Sequence, residues 1–184
     1  MHGKNGTLHS HLLPFIESRM EAPWFQKGDV INFWLASGDT SAPYDLVWEG
    51  EYATTNYVAN WLAFHGGANK DGKSTWQDSF PDGRENTVLF AMRYRMCNGT
   101  PTLWAYDKFD PKAPLIGYYN TDKFQIQPSV SECDPKVANS WFPHIGVAMA
   151  DGSVKWISPN ISARVWALVL HPADGEKLSP GRND

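Results

Sequence analysis

The stretch Ile145 to Leu170, IGVAMADGSVKWISPNISARVWALVL, decides the fold. Asp151-Gly152 suits a two-residue hairpin turn in which both central residues take positive φ, and that loop sets Met149 opposite Val154 and Val147 opposite Trp156. Those four apolar side chains then share one face, with Ala148 and Lys155 paired on the other. The expectation is a sheet buried on one side and wet on the other. Beyond the hairpin, Ser158 is placed as a helix N-cap and Pro159 at the first helical position. Ile161, Val165, Trp166, Leu168 and Val169 recur at helical spacing to cover the sheet.

Working outward, Leu8 to Met20 predicts a helix with Leu8, Leu12, Phe15, Ile16 and Arg19 on one face and a bend at Pro14. Short strands are expected at Val30 to Trp34 and Leu46 to Trp48, separated by the breaker-rich ASGDTSAPY. Tyr52 to Phe64 is rich in β-formers, and Gly66, Gly67 and Gly72 open a loop that runs to about Asp78. Thr87 to Tyr94 reads as a buried strand introduced by the turn Pro81-Asp82-Gly83. Asn98-Gly99 makes a further turn before a returning strand at Thr102 to Tyr106. Asp107 to Lys123 reads as loop and Phe124 to Gln127 as a brief strand. The fold class that results is α+β: an antiparallel sheet with an N-terminal helical segment and a short C-terminal helix after a β-hairpin, in one domain spanning residues 1–184.

At 184 residues the chain is long enough to bury a core of ordinary size. A net charge of −4 with dispersed basic residues offers no electrostatic footprint for nucleic acid or an anionic membrane. No apolar run reaches the length of a bilayer span, and the opening MHGKNGT lacks the apolar segment of a secretory signal. Nine Trp, nine Phe and seven Tyr predict a bulky core or a stacking surface. Cys97 and Cys133 permit one disulfide in an exported protein or two buried thiols in a cytosolic one. Neither has the nearby Cys or His partners of a zinc site.

The candidates for chemistry are few. His9 and His11 would share a face only in a strand, whereas their surroundings are helical. His65 lies in a glycine loop with no nucleophile motif beside it, and His144 precedes the hairpin, where its ring could tether the turn. Asp71, Asp78, Asp82 and Glu85 supply hard oxygen ligands that calcium could use, without EF-hand spacing. Glu49 and Glu51 could mimic a glycosidase pair but are more simply flanking charges. A row of tryptophans, with Trp61, Trp76 and Trp141 as the stacking candidates among Trp24, Trp34, Trp48 and the rest, could bind sugar rings.

Taken together, HLLPFIES (11–18), ATTNYVANW (53–61), DGRENTVLFAMRY (82–94), FQIQPSVSECDP (124–135) and DGSVKWIS (151–158) resemble a large pilin-like family of uncharacterised proteins abundant in planctomycete-type bacteria. Members carry a prepilin-type N-terminal helix and a C-terminal His-x9-Asp-Gly signature. Two positions depart from that pattern. Trp141 stands where the histidine should, with only six residues between His144 and Asp151, and Met92 stands where a glutamate is frequent.

The resemblance implies the globular head of an exported, surface-associated pilin or pseudopilin of the type II secretion G-like class. Such a head would be non-catalytic, would partner other pilin-like subunits or surface proteins, and would meet the membrane only through an N-terminal helix that this chain lacks. It also makes Asp151 a weak calcium candidate; otherwise no cofactor is expected. Asp82, Gly83, Asn86, Asp151 and Gly152 are then structural markers, and Cys97 with Cys133 the disulfide candidate. A glycan-binding module and a hydrolase using His65 or His144 are the alternatives.

Overall fold

The computed structural model describes residues 6–16, 26–42, 46–65, 75–119, 121 and 123–176, apart from the side chain of His65. Trp24, Asp71, Gly66, Gly67, Gly72 and Arg19 lie outside the described residues. In chain order the elements are α1 (Leu8–Ile16), β1 (Val47–Trp48), β2 (Tyr52–Ala53), β3 (Tyr57–Asn60), α2 (Trp61–His65), β4 (Val88–Met92), β5 (Met96–Cys97) and β6 (Thr100–Pro101). There follow β7 (Leu115–Ile116), β8 (Gln125–Ile126), β9 (Asn139–Ser140), β10 (Ile145–Met149), β11 (Val154–Ile157) and α3 (Ala163–Leu170). The fold is α+β, with the short C-terminal helix after the β10–β11 hairpin. No described helix is long and apolar enough to cross a membrane.

The backbone falls into two compact units. The first comprises residues 1–57, 93–114 and 129–135. Its core is Leu13, Ile31, Trp34, Ala53 and Trp104, with Leu12, Ile16 and Val47 packed against it. Helix α1 begins where Thr7 accepts the backbone N–H of Ser10 and donates its hydroxyl to the Trp104 carbonyl at 2.6 Å, tying the helix start to the core. His9 and Leu13, four residues apart, form its buried stripe, and Phe15 is 85% exposed. The expected face is therefore rotated: Pro14 lies within the helix, and the core selects the side that carries His9. Val30 to Trp34 is not a strand, because Asn32–Trp34 closes a 3-10 turn that carries Trp34 inward. Thr102 to Tyr106 contributes only a single bridge, Leu103 to Thr54. Cys97 and Cys133 form a disulfide, with Cα atoms 5.5 Å apart, across 36 residues of sequence.

The second unit comprises residues 58–92, 115–128 and 136–184 and is built on a five-stranded sheet in the order β11-β10-β4-β3-β7. Antiparallel pairing joins β11, β10 and β4. The pair β3–β7 is parallel, so the predicted loop Asp107 to Lys123 in fact supplies an edge strand. Helix α3 buries Trp166, Val169 and Leu170, with Phe124 tilted against Trp166 at 4.7 Å.

The hairpin is present, but in a different register. Ile145 pairs with Ile157, Gly146 with Trp156, Val147 with Lys155 and Ala148 with Val154. Met149 N–H donates to Ser153 O at 2.8 Å and Gly152 N–H to Met149 O at 3.0 Å, so the loop has three residues, Ala150 to Gly152. Only Gly152 takes positive φ, at 88°, which is the turn-plus-bulge alternative to the two-residue turn. The two-residue form occurs instead at Asn98-Gly99, where φ is 48° and 72° and Cys97 pairs with Thr100. The one-residue slip moves Val154 and Trp156 onto the opposite face from Val147 and Met149. Val147 is 2% exposed, whereas Val154 is 73% and Trp156 57% exposed. The N-cap also moves: Ser162, not Ser158, accepts the Val165 N–H, while Ser158 and Pro159 form the turn before α3.

Candidate functional site

The densest polar chemistry lies in the segments that carry the family resemblance, and it holds backbone. In the first unit Asn56 is fully buried. Its Oδ1 accepts Ala36 N–H at 2.9 Å, and its Nδ2 donates to Asp39 Oδ2 at 2.7 Å and Arg93 O at 3.1 Å. Its main chain also donates to Trp34 O and accepts from Arg93 N–H. Asp39 accepts in addition the main-chain N–H of Arg95 and of Ser41, and forms an ion pair with Arg95 Nε at 3.3 Å. A buried carboxylate held by this many donors stays compensated in a low-dielectric interior.

Arg93 is likewise buried. Its guanidinium donates to Thr102 Oγ1 at 3.0 Å, to Pro135 O at 2.8 Å and to Ala113 O, gathering three chain segments. Helix α1 adds His9, whose Nε2 donates to Tyr57 O at 2.8 Å and whose ring meets Trp34 edge-on at 4.8 Å. Burial, the largest influence, pulls the His9 pKa down to about 4, with the hydrogen bond to Tyr57 opposing and the Arg93 charge assisting. The ring is a neutral core group. His11, two residues on, is exposed.

In the second unit the equivalent hub is Asn60, also fully buried. Its Nδ2 donates to Val88 O and Leu170 O, each at 2.7 Å, and its Oδ1 accepts Leu62 N–H at 3.1 Å. One side chain thus joins β4, the start of α2 and the end of α3. Asp82 accepts the N–H groups of Asp174 (2.7 Å) and Gly175 (3.2 Å), tying the Asp-Gly turn to the chain after α3. Asn86 donates to Asp82 O and Thr87 to Gly83 O, so DGREN is a self-bonded turn that launches β4.

The remaining candidates are dispersed. Asp78 is taken up by Thr75, and Asp151 by the N–H and hydroxyl of Ser153, which hold its carboxyl below the usual range. Among the described residues no group of three or more His, Cys, Asp or Glu side chains gathers as a metal site. Glu49 sits at positive φ in the turn between β1 and β2, and Glu51 reaches Lys27 at 3.7 Å on the surface. His144 is exposed; its carbonyl, not its ring, is engaged, by the Ser140 hydroxyl at 2.8 Å. Met92 is buried in β4, its sulfur lying where a Cβ on Gly146 would come within 2.8 Å. A cleft of about 220 Å3 beside α3, lined by Phe124, Ile126, Pro159, Ile161, Trp166 and Lys123, is smaller than the usual cofactor pocket.

Among the described residues the tryptophans form no single row. Trp34, Trp104 and Trp166 are core residues. Trp76 is exposed, with the Arg84 guanidinium stacked 4.5 Å from its ring centroid. Trp141 leans on Phe142 at 5.5 Å, and Trp61 meets Tyr118 edge-on at 5.4 Å, with Tyr119 next at 4.8 Å. Sequence reasoning missed Asn56, Asn60, Arg93, Arg95 and Asp39 as organisers. The available signal was polar residues inside otherwise apolar, β-forming runs. Comparison with protein-family models, with curated proteins and with solved structures finds no match to this chain.

Proposed function

We propose that this chain is the head of an exported, surface-associated, non-catalytic pilin- or pseudopilin-like structural subunit. The observation that carries the reading is the use of the marker segments. Asn56, Asn60, Asp82 and Arg93 each direct polar atoms at main-chain groups, Asn56 also reaching the Asp39 carboxylate and Arg93 the Thr102 hydroxyl, as suits a scaffold. The Cys97–Cys133 disulfide supports an oxidising compartment outside the cytosol. The test is to follow the protein in the native cell with an antibody to this chain. Recovery with material sheared from the cell surface, with the disulfide intact by mass, is expected. Recovery in the cytosol with two free thiols would overturn the reading.

One arrangement favours a glycan-binding surface as the second reading. Trp61, Tyr118 and Tyr119 form a consecutive edge-to-face group in which both tyrosines are exposed, and Lys136 lies 5.7 Å from the Tyr119 ring. Aromatic faces with polar handles suit a sugar ring. Titration with soluble glycans, read by tryptophan fluorescence, should give a response that Trp61→Ala abolishes. No response across a broad panel would end this reading.

A further inference from the structure

Three Asn-x-Ser/Thr triplets with no proline in the middle occur in the chain: Asn5-Gly6-Thr7, Asn98-Gly99-Thr100 and Asn160-Ile161-Ser162. This is the acceptor pattern for an N-linked glycan on the surface of an exported protein. An acceptor needs an asparagine amide open to solvent and, two residues on, a hydroxyl that an enzyme can engage. Thr7 already donates its hydroxyl to Trp104 O at 2.6 Å, and Asn5 lies outside the described residues. Ser162 caps α3 by accepting the Val165 N–H. At the remaining triplet both groups are unengaged: among the described residues, neither the Asn98 side-chain amide nor the Thr100 hydroxyl makes a hydrogen bond.

Asn98 and Gly99 form the two-residue turn between β5 and β6, and both are exposed. The main chain there is held from beneath, since Asn98 N–H donates to Val130 O at 2.7 Å and Cys97 is bonded to Cys133. A Cβ placed on Gly99 would meet nothing within 4 Å, so the space about the turn is open. The asparagines that the fold buries are of another kind. Asn56, Asn60 and Asn139 are fully buried, and Val58, Leu62 and Trp141 stand two residues after them, where an acceptor would need a hydroxyl. The disulfide next to the turn belongs to an oxidising compartment, as an N-linked glycan does.

We infer that Asn98 is an N-glycosylation site whose donor is a polyprenyl-diphosphate-linked oligosaccharide. Asn98 Nδ2 attacks the anomeric carbon of the donor sugar and forms the new N–C bond. The bond from that carbon to the diphosphate oxygen breaks, the polyprenyl diphosphate leaves with the electron pair, and the nitrogen gives up one proton to water. Nothing is oxidised or reduced. The inference rests on the proposed export of the chain, which brings Asn98 to the membrane face where such donors are used.

Peptide mapping by mass, on the full chain recovered from its native cell, tests it. The expected result is that the peptide carrying Asn98 is heavier by a chain of sugar residues, while the peptide carrying Asn160 has its plain mass. Asn98→Asp keeps a residue that suits the turn but removes the attacking nitrogen, and Thr100→Val removes the hydroxyl from a strand position that tolerates valine. Both should lose the added mass, and Thr100→Ser should retain it. If Thr100→Val fails to fold, Asn98→Asp and Thr100→Ser decide. A sugar that survives Asn98→Asp sits on another residue and would overturn the inference. So would an Asn98 peptide at its plain mass, or one changed only by conversion of Asn98 to aspartate. Bare Asn98 on protein recovered from the cell surface sinks this inference and leaves export standing, whereas recovery in the cytosol sinks both.

Discussion

Asn60 donates its side-chain amide to the carbonyl of Leu170, 110 residues further along the chain, at 2.7 Å. The same nitrogen reaches Val88 O. Four residues earlier, Asn56 plays the same part in the first unit, toward Asp39 and Arg93. The segment TTNYVAN thus places one buried amide hub in each compact unit.

The hairpin register predicts opposite outcomes for two valines. Val147→Ala should destabilise by about 2 kcal/mol, since it opens a cavity under the sheet. Val154→Thr should stay within about 0.5 kcal/mol of the parent, as exposed positions do. Denaturant melts of both variants check this, and equal losses would restore the register with Val154 buried.

How much of this was legible in the chain depends on which interaction decides each element. The hairpin itself was readable from Asp151-Gly152 between alternating apolar residues. Its register was not, because Asp-Gly serves both the two-residue turn and the three-residue loop, and Trp156 looked like a core residue. The 3-10 turn at Asn32–Trp34 is set by the burial of Trp34 rather than by the β-preference of its neighbours. The count of two cysteines permitted a disulfide but left two buried thiols equally open, and the 5.5 Å between their Cα atoms in the fold joins them. The amide hubs were hidden because a buried asparagine has meaning only once its distant carbonyl partners are in place.

Stability should fall with acid through His9. Its pKa drops from 6.5 in the unfolded chain to about 4 in the fold, so the unfolded state binds the proton first. The stabilisation is complete above pH 6.5 and is lost as pH falls from there toward 4, by about 3 kcal/mol in all. Unfolding free energies measured across that window should flatten in His9→Gln, which keeps a donor for Tyr57 O. Parallel profiles for variant and parent would contradict the assignment.

The Cys97–Cys133 bridge closes a long loop, and removing it should cost about 4 kcal/mol on the chain-entropy account. The double variant Cys97→Ser, Cys133→Ser checks this by denaturant midpoint. Intact mass before and after reduction should differ by two hydrogens in the parent only.

Asp82 should act as a tether. Asp82→Ala strands the Asp174 and Gly175 N–H groups near the surface, so a loss of about 1 kcal/mol is expected. Hydrogen exchange should quicken at those two amides first. Unchanged exchange there would show that the segment after α3 is held by other contacts.

The central claim, that buried polar side chains within the resembling segments tie the backbone together, meets its most direct test at Asn60. Asn60→Asp keeps the shape but cannot donate to Val88 O and Leu170 O, and Asn60→Leu removes every polar contact of the side chain. Unfolding free energy by denaturant should fall by about 3 kcal/mol or more in each variant. Variants as stable as the parent, within about 0.5 kcal/mol, would contradict the account.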